Sequence, residues 1–268
     1  MKKVIVITGA STGIGRNTAI KLAKLGHSVY GLSRNTELME DLKAYGIFPM
    51  QVDITSPQNI TQVIQSILTK ESDIDVLINN AGYGFYESLE ECPINKAKAL
   101  FNINVFALMQ MTQAVLPTMR NSKSGTIINI SSVVGKVTLP FMGWYSATKH
   151  AVEGLCDSLR MELKAFNIKV VIVEPGRIRS KFGHTALSLS NLNPVSPYYK
   201  PMIKFQDLIN NNPFPSAHPN SISNTIIKII NSSNPKARYS PNFDAKIILF
   251  LKKWFEDKFI DWLIGYRL

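Results

Sequence analysis

The stretch "VITGASTGIG", Val6–Gly15, decides how the chain folds. A short β-branched apolar run leads straight into a turn that holds Gly9, Gly13 and Gly15. Glycines there allow a tight turn and let backbone N–H groups come close to a pyrophosphate. A helix that starts at the turn adds the positive end of its dipole. The spacing is GxxxGxG and not the commoner GxGxxG, so the turn points to a nucleotide only where a strand precedes it and a helix follows.

The rest of the chain supplies that setting. Short apolar runs at Val4–Thr8, Ser28–Ser33, Phe48–Val52, Asp75–Asn79, Thr126–Ile130 and Lys169–Glu174 read as strands. Between them lie helical patterns at Ile14–Leu25, Pro57–Thr69, about Asn95–Met119 and Ser146–Phe166. Near-continuous apolar strands alternating with helices predict an α/β fold, a doubly wound parallel sheet with helices on both faces. No linker and no solenoid repeat interrupts it, so a single domain over 1–268 is expected.

Beyond Gly176 the character changes. Six of the 14 prolines fall between Pro194 and Pro219, which argues against a long regular helix over 181–220. A segment of that composition reads as a lid or insert. Helix is expected again at about Ser221–Asn231, followed by the apolar and basic "AKIILFLKKWFEDKFIDWLIGYRL".

Composition narrows the function classes. Hydrophobic residues make up 45% and charged residues 18%, as in a globular protein with a substantial core. Cys92 and Cys156 are the two cysteines, without a CxxC or a Cys/His cluster, so neither a metal site nor a disulfide framework is expected. That usage suits a reducing, cytoplasmic compartment. The run Val4–Ile7 is too short for a signal h-region, and no stretch is expected to span a membrane. The net charge is +11, with 11 Lys/Arg against 5 Asp/Glu in 181–268. No run of five basic residues and no aromatic–basic platform accompanies it, so nucleic acid is not an expected partner.

The stretch "GWYSATKHA", Gly143–Ala151, then sets Tyr145 one helical turn before Lys149. Side chains four apart share a helix face, and a nearby ammonium favours a phenolate. The pair predicts a tyrosine whose pKa falls toward neutrality, suited to carbonyl reduction or alcohol oxidation. A solvated i, i+4 pair is the plainer reading of those two residues alone.

Five motifs in order change that balance: the TGxxxGxG turn, "NNAG" at Asn79–Gly82, "SS" at Ser131–Ser132, Tyr145-x-x-x-Lys149 and "PG" at Pro175–Gly176. Over residues 3–180 at least, the chain resembles the short-chain dehydrogenase/reductase family, whose fold is a Rossmann-type sheet. The resemblance implies that Tyr145 is the general acid in reduction and the general base in oxidation. It implies that Lys149 lowers the tyrosine pKa and holds the nicotinamide ribose, and that Ser132 hydrogen-bonds the substrate oxygen. Ser131 does not fit the family spacing. Asn104 would complete the tetrad by holding a relay water; Asn102 loses on spacing.

The resemblance also lays the cofactor along Gly9, Ser11, Thr12, Gly13, Ile14 and Gly15. Asp53 would contact the adenine amino group, Asn80, Ala81 and Gly82 would border the adenosine ribose, and Asn79 would stabilise the sheet. Pro175, Gly176 and Ile178 would line the nicotinamide end. Ser180 stands where the family usually has a threonine that binds the carboxamide. Members that use NAD carry an acidic residue at the end of the second strand, where this chain has Ser33 followed by Arg34. A carboxylate would repel a 2′-phosphate and a guanidinium can pair with one, so NADP(H) is expected before NAD(H). Arg16 is a second basic candidate.

These residues predict an oxidoreductase moving a hydride between nicotinamide C4 and a carbonyl or alcohol carbon. The expected pocket walls are Val133, Leu139, Phe141 and Trp144, with 181–220 above them, which favours a lipophilic substrate such as a steroid, retinoid or aldehyde. The stretches "LPFMGWYSATKHAVEGLCDSLRMEL" and "VEPGRIRSKF" are similar to the hydroxysteroid and retinol dehydrogenase branch. The alternative is a catalytically idle NADP-binding regulatory or membrane-associated protein, which would be expected to lack a tetrad residue. The resemblance implies a homodimer or homotetramer. The amphipathic segment 243–265 is expected to pack on its own domain or a second subunit, or to rest weakly on an anionic membrane surface.

Overall fold

All six apolar runs become strands in a computed structural model of the chain, which describes residues 1–179, 181–210 and 216–265. The strands are β1 (Val4–Thr8), β2 (Ser28–Ser33), β3 (Ile47–Gln51), β4 (Val76–Asn79), β5 (Gly125–Ile130) and β6 (Ile168–Val173). A two-residue strand, β7 (Arg238–Tyr239), pairs outside β6 and completes a parallel sheet in the order β3-β2-β1-β4-β5-β6-β7. Its sequence has no apolar run, so no pattern announced it. In the central register Ile5 lies opposite both Val29 and Val76, and all six residues of β5 are buried. Burial on both faces is what makes these strands read as unbroken apolar runs.

Alternate residues feed two cores. Val6, Leu77 and Ile127 face α2 (Pro57–Lys70), α4 (Leu108–Asn121) and α5 (Gly143–Glu162), with Ile64, Val115 and Val152 among the packed residues. On the other face Ile5, Ile78 and Ile128 pack with Leu22 of α1 (Gly13–Lys24) and with Ile226 of α8 (Pro219–Ile230). Those two helices are also joined by a buried Thr18–Ser223 hydroxyl pair at 2.9 Å.

Three expected elements differ in detail. The helix expected over Asn95–Met119 is α3 (Ile94–Phe101), a π-helical turn at Asn102–Ala107, and α4. By length and composition Ile94–Asn121 could cross a membrane, contrary to expectation. Its Leu108, Met111, Val115 and Met119 are instead buried in the core. The proline-rich segment forms α6 (Lys181–Ser188) and α7 (Tyr199–Asn210). Pro201 falls in the first turn of α7, where a missing N–H does no harm, and Pro194 and Pro197 lie in the connection. The C-terminal segment is two helices, α9 (Phe243–Trp254) and α10 (Asp257–Gly265), broken by an extended Phe255.

Candidate active site

At the carboxyl ends of β1 and β4 the strand order reverses, which is where open α/β sheets bind ligands. Four contacts fasten these ends together. The Thr8 hydroxyl oxygen accepts from the N–H groups of Asn80 and Ala81, both at 3.0 Å. The Asn80 amide donates to the carbonyls of Thr8 and Gly9 at 3.0 and 3.1 Å. Gly9 and Gly13 have φ of +68° and +57°, a region that favours glycine. A Cβ on Gly15 would stand 2.4 Å from the Gly9 carbonyl oxygen. The Thr12 side chain caps none of the first-turn N–H groups of α1, and Ser11, Thr12 and Ile14 are exposed or half-buried around them. This cradle, open to an anion and closed to side chains, fits a dinucleotide pyrophosphate.

The predicted adenosine residues lie beside it. Ser33 ends β2, and Arg34 is exposed at the rim of an open cleft of about 530 Å³ that it shares with Gln51, Asp53, Asn59 and Gln62. The backbone N–H and hydroxyl of Thr55 both donate to Asp53, at 2.9 and 2.7 Å. These bonds, with the Arg34 cation, hold the Asp53 carboxyl below the usual range. Arg16 donates to the Leu38 carbonyl at 3.0 Å and pairs with Asp41, so it is tied to the 3-10 helix at Glu37–Tyr45.

On α5, Tyr145 and Lys149 are both buried. Ser132 lies close enough to the phenol to act on its titration. The Lys149 ammonium donates to the Ile130 carbonyl at 2.8 Å and stands 5.7 Å from the Tyr145 ring centre. The expected fall in the tyrosine pKa does not occur. Burial raises the phenol above its ordinary value, with the nearby Ser132 hydroxyl pulling the other way. Burial likewise lowers Lys149, to about 8, against the opposing charge of Glu153. Desolvation penalises phenolate and ammonium alike, and it is the largest influence on each.

Asn104 sits in the π-helical turn, a widening common at functional sites. Its side chain accepts from the Tyr83 N–H at 3.1 Å and donates to the Tyr83 carbonyl at 2.9 Å and to Thr148 at 3.2 Å. A Cβ on Gly82 would lie 3.0 Å from the Asn104 oxygen and 3.9 Å from the Lys149 nitrogen, so those two side chains meet beside the loop that follows β4. Ser132 also donates to the Pro175 carbonyl at 3.4 Å. Ser131 is buried, and its hydroxyl has no partner among the described residues.

Aromatic residues cover the tyrosine. The Phe182 ring of α6 is 5.4 Å from that of Tyr145, and Gly84 lets both rings approach its backbone. Phe205 of α7 meets Tyr86 and Phe141 at 5.8 and 5.6 Å. Val133, Leu139 and Trp144 pack in the same apolar cluster as Tyr145, and Phe141 packs in the neighbouring one. Tyr86, Phe182 and Phe205 were missed, because nothing in their local spacing ties them to Tyr145. The nicotinamide-end residues are held from an unexpected quarter. Asn242 accepts from the Gly176 N–H at 3.3 Å, and Asp244, in the first turn of α9, accepts from the Arg177 N–H at 2.9 Å. Half-buried Ile178 bridges to Ala217, while Ser180 lies outside the described residues. Among the described residues no three His, Cys, Asp or Glu side chains gather as metal ligands.

The family model for short chain dehydrogenases matches residues 3–188. The chain belongs to that family. It is 34% identical to a probable short-chain type dehydrogenase/reductase, VdlC, of Helicobacter pylori, over 95% of each chain. It is also 34% identical to a 3-ketodihydrosphingosine reductase of Bacteroides thetaiotaomicron, over 98% of this chain and 96% of that one. A crystal structure of a short-chain dehydrogenase from Streptomyces avermitilis superposes with a TM-score of 0.84 at 31% identity, covering 100% of this chain and 98% of that one. The protein is therefore an oxidoreductase of this family, and it shares the Rossmann-type fold.

Proposed function

We propose that the protein interconverts a carbonyl and an alcohol on a lipophilic substrate, using NADP(H), with Tyr145 as general acid and base. The observation that carries this reading is a buried Tyr145, beside Ser132 and Lys149 and under an apolar cover. Bound nicotinamide supplies or takes up the hydride. Ser132 holds the substrate oxygen near the phenol, and Lys149 holds the ribose hydroxyls. Because burial keeps the phenol protonated at neutral pH, Tyr145 is ready to donate a proton in the reducing direction. Oxidation needs the phenolate, so it gains as pH rises. Asn104 keeps the loop after β4 in place beside Lys149 and orders the relay water.

Cover residues Phe141, Phe182 and Phe205 exclude water and favour an apolar body beside the reacting carbon. Similarity to a relative named for a ketone of this kind, 3-ketodihydrosphingosine, supports a lipid-like substrate over a sugar or amino acid. In this single-domain reading of 1–268, the described parts of 181–220, with α6 and α7, serve as the lid, while 211–215 lie outside the described residues. Four tetrad residues in one place favour an enzyme over the idle cofactor-binding alternative. Tyr145→Phe should lower turnover by about 10²–10⁴-fold or more while NADPH affinity stays near that of the parent. NADPH fluorescence titration with turnover assays on ketones and aldehydes checks both, and near-normal turnover would remove Tyr145 from its role.

Arg34 and the absence of a carboxylate at Ser33 carry the preference for NADP(H). The exposed guanidinium at the cleft rim can take a 2′-phosphate without an acidic neighbour at position 33 to repel it. Arg34→Ala should weaken NADPH by about 1.5–3 kcal/mol and leave NADH nearly unchanged. Ser33→Asp should shift preference toward NADH. Equal losses for both cofactors, measured by calorimetry, would withdraw the NADP assignment.

We place the protein in the cytoplasm as a homodimer or homotetramer, on its free Cys92 and Cys156 and on family resemblance. Its C-terminal segment exposes Phe243, Phe250, Trp254, Phe255 and Trp262. Such aromatics suit a membrane interface, where a lipophilic substrate concentrates. Lys252 pairs with Asp257, which lowers the net basicity of that face, so contact with anionic lipid is weak and sensitive to salt. Sedimentation with phosphatidylserine vesicles at low salt should retain the full chain and release one truncated after Asp244. Equal sedimentation of the two chains, or none by the full chain, would leave the aromatic face to subunit contact.

A further inference from the structure

Glu153 follows Lys149 by one turn of α5, so the two side chains share a helix face. Its carboxylate is buried, which demands compensating charge. Two cations meet one of its oxygens: Lys136 reaches Oε2 at 2.9 Å from the loop that follows Ser132, and Arg238 of β7 reaches it at 3.0 Å. Oε1 has no hydrogen-bond partner among the described residues. Both cations are about one-third exposed, at 32% and 29%, so water screens much of their charge. Lys149 is far more buried, and its attraction to the carboxylate runs through the interior.

Gly135 marks where these parts touch. A Cβ there would stand 2.9 Å from the Ser131 hydroxyl, 3.1 Å from Cγ of Glu153 and 3.2 Å from the Lys149 carbonyl. The loop carrying Ser132, the helix carrying Tyr145 and the outer strand β7 thus converge on one carboxylate. The other charged groups nearby are Asp157, which pairs with Arg238 and Arg160 at 2.7 and 2.5 Å, and Glu174, 3.5 Å from Arg238. Cys156 and Tyr145 are neutral at physiological pH, since burial raises both.

We propose that Glu153 is a positioning residue: a buried countercharge, clamped by Lys136 and Arg238, that keeps Lys149 an ammonium beside Tyr145. It rests on the assignment of Tyr145 and Lys149 as the working pair. Its direction agrees with the charge balance at Lys149, where Glu153 opposes the effect of burial. The two cations act in the opposite sense, by drawing the field of the carboxylate to themselves. Removing Glu153 should therefore make Lys149 lose its proton at lower pH, and removing Lys136 should make it lose its proton at higher pH.

Titration of ¹³C-labelled lysines by NMR, on the intact protein without cofactor, reads this directly; loss of one signal in Lys149→Arg identifies the resonance. From a starting midpoint of about 8, Glu153→Gln should lower the midpoint by about one pH unit or more. Lys136→Gln, at a partly exposed site, should raise it, and this variant decides the matter if Glu153→Gln does not fold. An unchanged or higher midpoint in folded Glu153→Gln, or an unchanged or lower one in Lys136→Gln, overturns the proposal. Because the titration needs neither cofactor nor substrate, normal shifts with no turnover would count only against the proposed reaction.

Discussion

Thr8 and Asn80 tie the ends of β1 and β4 together with four hydrogen bonds of 3.0–3.1 Å, and the site is assembled around that knot. It fixes the glycine turn on one side and the start of the Ala81–Gly84 loop on the other. Through Gly82 the loop meets Asn104 and Lys149, and through Gly84 it meets Tyr145 and Phe182. Glycine at each contact is what allows main chain and reactive side chains to come so close. One local constraint at the switch point thereby positions both the glycine turn and the loop beside Tyr145 and Lys149.

The chemistry at that centre is set more by burial than by the pairing of two charges. Tyr145 and Lys149 are both withdrawn from water, so each is pushed toward its neutral form. A protonated phenol suits donation to a developing alkoxide, since the proton is present before the reaction begins. Keeping the lysine cationic takes a buried countercharge, and Glu153 is the carboxylate placed to provide it. Geometry and desolvation thus divide the work: the helix sets the spacing, and the surrounding core sets the protonation states.

Much of this was legible in the amino-acid order. The six longer strands follow from apolar runs, and the shared helix turn of Tyr145 and Lys149 from a four-residue spacing. What the sequence did not reveal depends on contacts between distant segments. The covering by Phe182 and Phe205, the hold of Asn242 and Asp244 on Gly176 and Arg177, and the Arg238–Glu153 pair each join residues more than 35 positions apart. The direction of the Tyr145 shift was misread for a related reason. A four-residue spacing gives the neighbour but not how deeply both groups are buried. Strand β7 was missed because a two-residue Arg-Tyr pair carries no periodicity.

If this site moves a hydride to a carbonyl carbon while Tyr145 supplies the proton, the hydride's origin can be followed by isotope. Deuterium transfer from NADPH labelled at nicotinamide C4, to a panel of steroid, retinoid and long-chain ketones and aldehydes, tests it most directly. The expected product is an alcohol bearing one deuterium on the former carbonyl carbon, read by mass spectrometry. Tight NADPH binding with no label transferred to any member of the panel, from either face of the ring, would contradict it.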